Sequence, residues 1–226
     1  MRLCLGVALA IAIADCKGKS TPAPEAATPA AASAESNPQA HDDRPVIVAF
    51  GDSLTAGYGT DAGNSYPDFL EKDLNGEGFH YHVVNAGISG NTTKDGLDRL
   101  DDVLALRPVL AIVAFGGNDG LRGLPIASTR RNLDQIVSTL QRAGIKVVLG
   151  GITLPPNYGP DYIRQFNETY AMLARQYHVP LLPFLLKDVY GVPGGMQADG
   201  IHATAHGNQQ VARNLLPLIT PLLHTR

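Results

Sequence analysis

Three stretches lying far apart in this chain carry side chains that could together perform nucleophilic catalysis. The first is Phe50-Gly51-Asp52-Ser53-Leu54-Thr55, directly after an apolar run. A serine on a glycine-rich turn between strand and helix can be presented with backbone N–H groups close by, as a nucleophile elbow does. The stretch is not the G-x-S-x-G pattern, because Thr55 stands at the last position. Taken alone, a serine here also suits a helix cap.

The second stretch is Asp199-Gly200-Ile201-His202. A serine nucleophile needs a base, and a histidine base needs an acceptor to fix its tautomer and stabilise the imidazolium. Asp199 and His202 could supply both from one loop, although an Asp-Gly turn beside a surface histidine is the plainer interpretation of the four residues alone. His202 and His206 stand four apart, a spacing also used for metals, but the intervening glutamate of a zinc helix is missing, so no metal is expected. The third stretch, Phe115-Gly116-Gly117-Asn118-Asp119, places an asparagine amide after an apolar run, where it could donate to an oxyanion. It also fits an ordinary turn. Gly87, in Asn85-Ala86-Gly87-Ile88-Ser89-Gly90, could bring a backbone N–H to the same oxygen.

These stretches need a scaffold, and the chain from residue 44 onward supplies one. Near-continuous apolar runs at 45–50, 82–85, 109–115, 146–150 and 180–184 are those of parallel strands covered on both faces. Amphipathic segments lie between them. Leu133, Ile136, Val137 and Leu140 recur at helical spacing, with Gly144 placed to stop the helix. Ile163, Phe166, Tyr170, Leu173, Ala174 and Tyr177 make a second stripe. Val211, Leu215, Leu218, Ile219 and Leu222 make a third, with Thr204 as N-cap and Pro217 expected to kink it. Alternation of strand and helix implies an α/β fold, a three-layer αβα sandwich on a mostly parallel five-stranded sheet. Its active site is expected at the carboxyl ends of the strands.

A nucleophile after the first strand, a glycine after the second, an asparagine after the third and Asp-x-x-His before the last helix resemble the GDSL or SGNH hydrolase family. The resemblance covers residues 45–223. Gly117-Asn118-Asp119-Gly120-Leu121-Arg122-Gly123 and Leu154-Pro155-Pro156-Asn157-Tyr158-Gly159 are similar to the branch of bacterial multifunctional thioesterase/lysophospholipase/arylesterases. The resemblance implies Ser53 as nucleophile, His202 as base and Asp199 as its orienting acid. It implies an oxyanion hole from the N–H groups of Ser53 and Gly87 and the Asn118 side chain, with no cofactor.

The implied reaction is acyl transfer to water from an ester or thioester, with aryl esters and lysophospholipids as candidate substrates. Leu121, Leu154 and Tyr158 could line an apolar groove for the acyl chain, or could simply pack their loops together. Carbohydrate O-acetyl esters are an alternative substrate class, disfavoured by the absence of tryptophan and by 6% aromatic content, which leave little for sugar stacking. A binding module that kept the fold is a further alternative, but it has no need of all five site residues. The expected partner is a small-molecule acyl ester met by a monomer.

Composition and the N-terminus bound the setting. With 44% hydrophobic and 17% charged residues the chain reads as a folded domain, and a formal charge of −3 gives no electrostatic case for nucleic acid. After Met1 and Arg2 comes an apolar run over residues 3–14, too short to span a bilayer and suited to a secretory signal. Ala12-Ile13-Ala14 offers a peptidase site, whereas Ile13-Ala14-Asp15-Cys16 resembles a bacterial lipobox with Asp15 as a departure. Residues 21–40 hold eight alanines, four prolines and no large apolar side chain, too little to order them. The expectation is a signal peptide over 1–15, a tether over 16–43 and a hydrolase domain over 44–226. The protein would be exported, with Cys16 as a candidate lipid anchor and the one route to a membrane. Processing would remove Cys4, so no intramolecular disulfide is expected.

Overall fold

The computed structural model describes residues 42–224. The signal, the tether up to residue 41 and Cys16 lie outside the described residues. Five strands form one sheet: β1 Val46–Gly51, β2 His82–Gly87, β3 Leu110–Ala114, β4 Lys146–Gly150 and β5 Leu181–Leu182. Their order is β2-β1-β3-β4-β5, and every neighbouring pair is parallel. Ile47–Phe50 and Leu110–Ala114 are buried throughout, which explains their unbroken apolar character.

Two strands differ from the apolar runs. β2 extends to Gly87 because its ladder with β1 continues through Phe50↔Ala86 and Gly51↔Gly87, beyond the last large apolar residue. β5 is only two residues long because Pro180 and Pro183 bracket it, and proline has no N–H to donate to a ladder.

The helices are α1 Ser53–Ala56, α2 Tyr66–Gly76, α3 Thr93–Asp98, α4 Leu100–Ala105, α5 Gly117–Leu121, α6 Ile126–Arg142, α7 Pro160–Tyr177 and α8 Ala205–Ile219. α2 packs on α8, while α6 packs on α3 and α7, so two helical layers flank the sheet. Leu133, Ile136, Val137 and Leu140 of α6 are fully buried, as their spacing predicts. The α7 stripe buries Phe166, Tyr170 and Leu173, and the α8 stripe buries Val211, Leu215 and Ile219. Thr204 caps α8, its side chain accepting from the Gly207 N–H at 3.1 Å. α8 runs two residues past Pro217 and then tightens into a 3-10 turn.

The chain reverses direction across the sheet between β1 and β3. In an open parallel sheet this is where loops from adjacent strand ends diverge and leave a crevice. Ser53 and Asn118 follow those two strands.

Candidate active site

The turn after β1 is tightly built. A Cβ on Gly51 would stand 2.0 Å from the Thr55 Oγ1 and 2.6 Å from the Ala114 carbonyl, so only glycine fits between β3 and α1. Asp52 caps α1 by accepting from the Leu54 N–H at 3.1 Å. Its side chain is almost fully enclosed, and burial pushes its carboxyl up to about 7 against the opposing pull of that N–H. Ser53 is the first residue of α1, with its hydroxyl turned to the loop that carries His202.

The His202 Nε2 is 2.9 Å from the Ser53 Oγ, and the His202 Nδ1 is 2.6 Å from the Asp199 Oδ2. The other oxygen of Asp199 accepts the backbone N–H groups of Ile201 and His202 at 2.9 and 3.0 Å. The hydrogen bond from His202, helped by these N–H groups, holds the Asp199 carboxyl down at about 2, so it is ionised at neutral pH. Gly200 at φ +67 makes the tight turn that lets one aspartate reach all three donors. The Tyr58 ring lies 4.7 Å, centre to centre, from the imidazole. The His202 carbonyl accepts the Gln197 N–H at 2.8 Å, so His202 is fixed from both its ring and its backbone.

Asn118 sits in the first turn of α5. One hydrogen of its amide goes to the Asn91 carbonyl, with N···O 2.9 Å, which orients the group and leaves the second N–H for another acceptor. Gly87 does not fit the role expected of it. Its N–H donates to the Asn85 Oδ1 at 2.9 Å, and a Cβ there would lie 2.2 Å from the Ala56 nitrogen. It is therefore a packing glycine against α1, away from the cavity. Gly90, three residues on and at φ +82, lines the cavity beside Ser53 and Asn118.

These groups open on a cavity of about 620 Å³, in the range of small-molecule sites. Leu121 and Leu154 are among the residues that line it. Tyr158 does not: its hydroxyl donates to the Leu121 carbonyl at 2.9 Å, tying the two loops together. Sequence reasoning missed much of the wall, including Tyr58, Phe184, Leu186, Tyr190 and Ile201. Phe184 ends the run over 180–184 that reads as strand, yet it lies with Leu186 in the loop after β5. Tyr58, Tyr190 and Ile201 are exposed apolar side chains that line the cavity.

Residues 49–210 match the model of the GDSL-like lipase/acylhydrolase family, a span that includes Ser53, Asn118, Asp199 and His202. The chain belongs to the GDSL-like lipase/acylhydrolase family. Gly51-Asp52-Ser53-Leu54 spells the four letters of that name. The esterase TesA of Pseudomonas aeruginosa is 44% identical over 178 residues, covering 78% of this chain and 89% of TesA. A protein of Escherichia coli K12 named thioesterase 1/protease 1/lysophospholipase L1 is 38% identical over 179 residues, 79% of this chain and 85% of that one. A crystal structure of TesA superposes with a TM-score of 0.76 at 44% identity, over 79% of this chain and 99% of the other.

Proposed function

We propose that this protein is a serine esterase that transfers the acyl group of a carboxylic ester or thioester to water through Ser53. One observation carries the reading: Asp199, His202 and Ser53 form an unbroken chain of hydrogen bonds that ends at a largely apolar cavity. The names of the relatives, an esterase and a thioesterase/lysophospholipase, support the same reaction class.

The steps follow from the geometry. The Ser53 Oγ attacks the carbonyl carbon while its proton passes to the His202 Nε2. Asp199, ionised at neutral pH, stabilises the imidazolium through Nδ1. The carbonyl electrons move onto oxygen, and the N–H groups of Ser53 and Gly90 with the free amide N–H of Asn118 receive the negative charge. Each such donor contributes about 3–4 kcal/mol to barrier lowering in related sites. As the tetrahedral species collapses, the bond to the leaving oxygen or sulfur breaks and the leaving group takes the His202 proton. Water, deprotonated by His202, then attacks the acyl-serine; the acyl–Oγ bond breaks, the Ser53 Oγ takes the proton back from His202, and the acid is released. Residues of this chain suffice for every step. Leu121 and Leu154 supply apolar wall for the acyl chain, which fits fatty acyl, aryl and lysophospholipid esters better than acetylated sugars.

The N-terminal readings complete the proposal: residues 1–15 direct export, 16–43 form a tether, and 44–226 are the hydrolase domain. The apolar run before Ala14 and the Ala/Pro-rich segment after Cys16 support a protein delivered to the periplasm, held there by a lipid on Cys16 or released. The mass of the N-terminal peptide of the processed protein separates a diacylated Cys16 from a chain starting at Asp15.

The experiment for the activity is hydrolysis of p-nitrophenyl esters from acetate to palmitate, with Ser53→Ala alongside. The expected result is turnover of the wild type on an acyl chain longer than acetyl and none by Ser53→Ala. A folded wild type inactive on the whole series overturns the reading.

A further inference from the structure

Arginine carries five N–H donors in a rigid plane and can hold several acceptors at once at fixed angles. Arg99, at the junction of α3 and α4, uses its guanidinium in this way. Nη2 donates to the Gly51 carbonyl at 2.9 Å, Nη1 to the Ala86 carbonyl at 2.9 Å and Nε to the Asn91 Oδ1 at 2.8 Å. All three acceptors are neutral oxygens. The guanidinium carbon also lies 4.5 Å from the Phe50 ring centre and 5.5 Å from that of Phe115. These two rings meet edge to face 4.8 Å apart at the ends of β1 and β3. The placement is tight, because a Cβ on Gly96 would stand 2.8 Å from the Phe115 ring and lift α3 off the sheet.

The three acceptors stand next to the proposed reacting groups. Gly51 is two residues before Ser53. Ala86 is the next-to-last residue of β2, just before the loop that leads to Gly90. Asn91 follows Gly90, and its carbonyl holds the amide of Asn118. Arg99 itself does not line the cavity. It joins the loops that carry all three oxyanion donors without reaching the substrate.

We propose that Arg99 is a positioning residue for acyl transfer, holding the N–H donors of Ser53, Gly90 and Asn118 in the spacing that an oxyanion requires. The functional half of this inference rests on the esterase reading above. A burial-driven downward pull on the guanidinium is consistent with a cation held among carbonyls and rings. Sub-ångström misplacement of such donors weakens transition-state binding more than ground-state binding, so the effect falls on kcat rather than KM.

The test compares wild type, Arg99→Met and Arg99→Lys on one p-nitrophenyl ester. Methionine keeps apolar contact with Phe50 and Phe115, and lysine keeps charge but not the planar fork. A second readout is the NMR signal of the Asn118 side-chain amide, assigned by its loss in Asn118→Ala. We expect kcat to fall about tenfold or more in both variants with KM within about twofold. The Asn118 amide pair should shift or broaden in both. In a third variant, Arg99→Ala, added guanidinium should restore part of kcat, and it should not raise that of wild type. A folded variant with wild-type kcat overturns the proposal, as does a rise in KM alone or a fall in kcat with an unmoved Asn118 signal. If Arg99→Met does not fold, Arg99→Lys decides by the same criteria. Should the wild type itself hydrolyse no ester, the esterase reading falls, and the Asn118 signal still decides whether Arg99 ties the loops.

Discussion

The imidazole of His202 meets the hydroxyl of Ser53 at 2.9 Å although 149 residues separate them. Neither side chain is placed by its own helix or strand alone. Ser53 is fixed by the glycine-dependent turn after β1, and His202 by a loop that wraps its own aspartate. The quality of the contact therefore depends on Asp199, which binds the imidazole and two backbone N–H groups of the same loop.

Asp199→Asn should separate these duties. Asparagine can still accept the N–H groups of Ile201 and His202, but its amide favours the wrong imidazole tautomer and cannot stabilise the imidazolium. A loss in kcat of about 10²–10⁴-fold is expected, with little change in KM or in Tm. Steady-state kinetics beside a thermal melt checks this. A variant with kcat near wild type would mean that Asp199 is only a turn residue.

Asp52 should make stability depend on pH. Its folded value, raised by burial to about 7, lies above the ordinary 3.8. The neutral form is thus preferred in the folded chain, and this stabilisation is complete below 3.8 and lost as the pH rises through about 7. Ionising so enclosed a carboxyl disfavours folding by roughly 4 kcal/mol. Asp52→Asn removes the titration, so its Tm should exceed that of wild type at about pH 8 and approach or fall below it near pH 4. A Tm difference that does not change with pH would refute the assignment.

How much of this was legible in the sequence depends on the range of the interaction. Strands β1, β3 and β4 show as apolar runs because both sheet faces are covered, and the stripes of α6 to α8 show through their period. Ser53, Asn118, Asp199 and His202 stand out because short turn motifs accompany them. The helix α2 escapes periodicity because only Tyr66, Leu70 and Leu74 mark its large buried positions, although Ser65 with Asp68 and Pro67 forms a start signal. The choice between Gly87 and Gly90 was not legible. It turns on a hydrogen bond from the Gly87 N–H to the Asn85 side chain and on a contact with α1, neither of which leaves a mark in local composition. The same holds for Arg99, whose partners lie in three different segments.

The two glycines should respond differently to alanine. At Gly87 the new methyl meets the backbone of Thr55 and Ala56 within 2.8 Å, so Gly87→Ala should lower Tm by pushing α1 from β2. At Gly90 the nearest atom to the new Cβ is the Arg122 Nη2 at 3.8 Å, but the backbone stands at φ +82. Gly90→Ala should therefore cost only about 1–2 kcal/mol of backbone strain while shifting its N–H and depressing kcat. Melts and kinetics on both variants check the pair. A kcat loss confined to Gly87→Ala at full stability would return the donor role to Gly87.

Leu154 and Tyr158 share a loop but face different tasks, and the acyl-chain profile should tell them apart. Leu154 lines the cavity and also covers Gly120, where a Cβ would stand 2.4 Å from its Cδ2. Leu154→Ala widens the wall, so the preferred p-nitrophenyl ester should shift to a longer or bulkier acyl group, with a loss in stability of about 2–3 kcal/mol. Tyr158→Phe removes only the hydroxyl that reaches the Leu121 carbonyl. It should lower stability by about 0.5–1.5 kcal/mol and leave the chain-length profile where it is. Specificity constants across the acetate-to-palmitate series give both answers. If Tyr158→Phe moved the optimum and Leu154→Ala did not, the acyl chain would have to run along the tyrosine side of the loop.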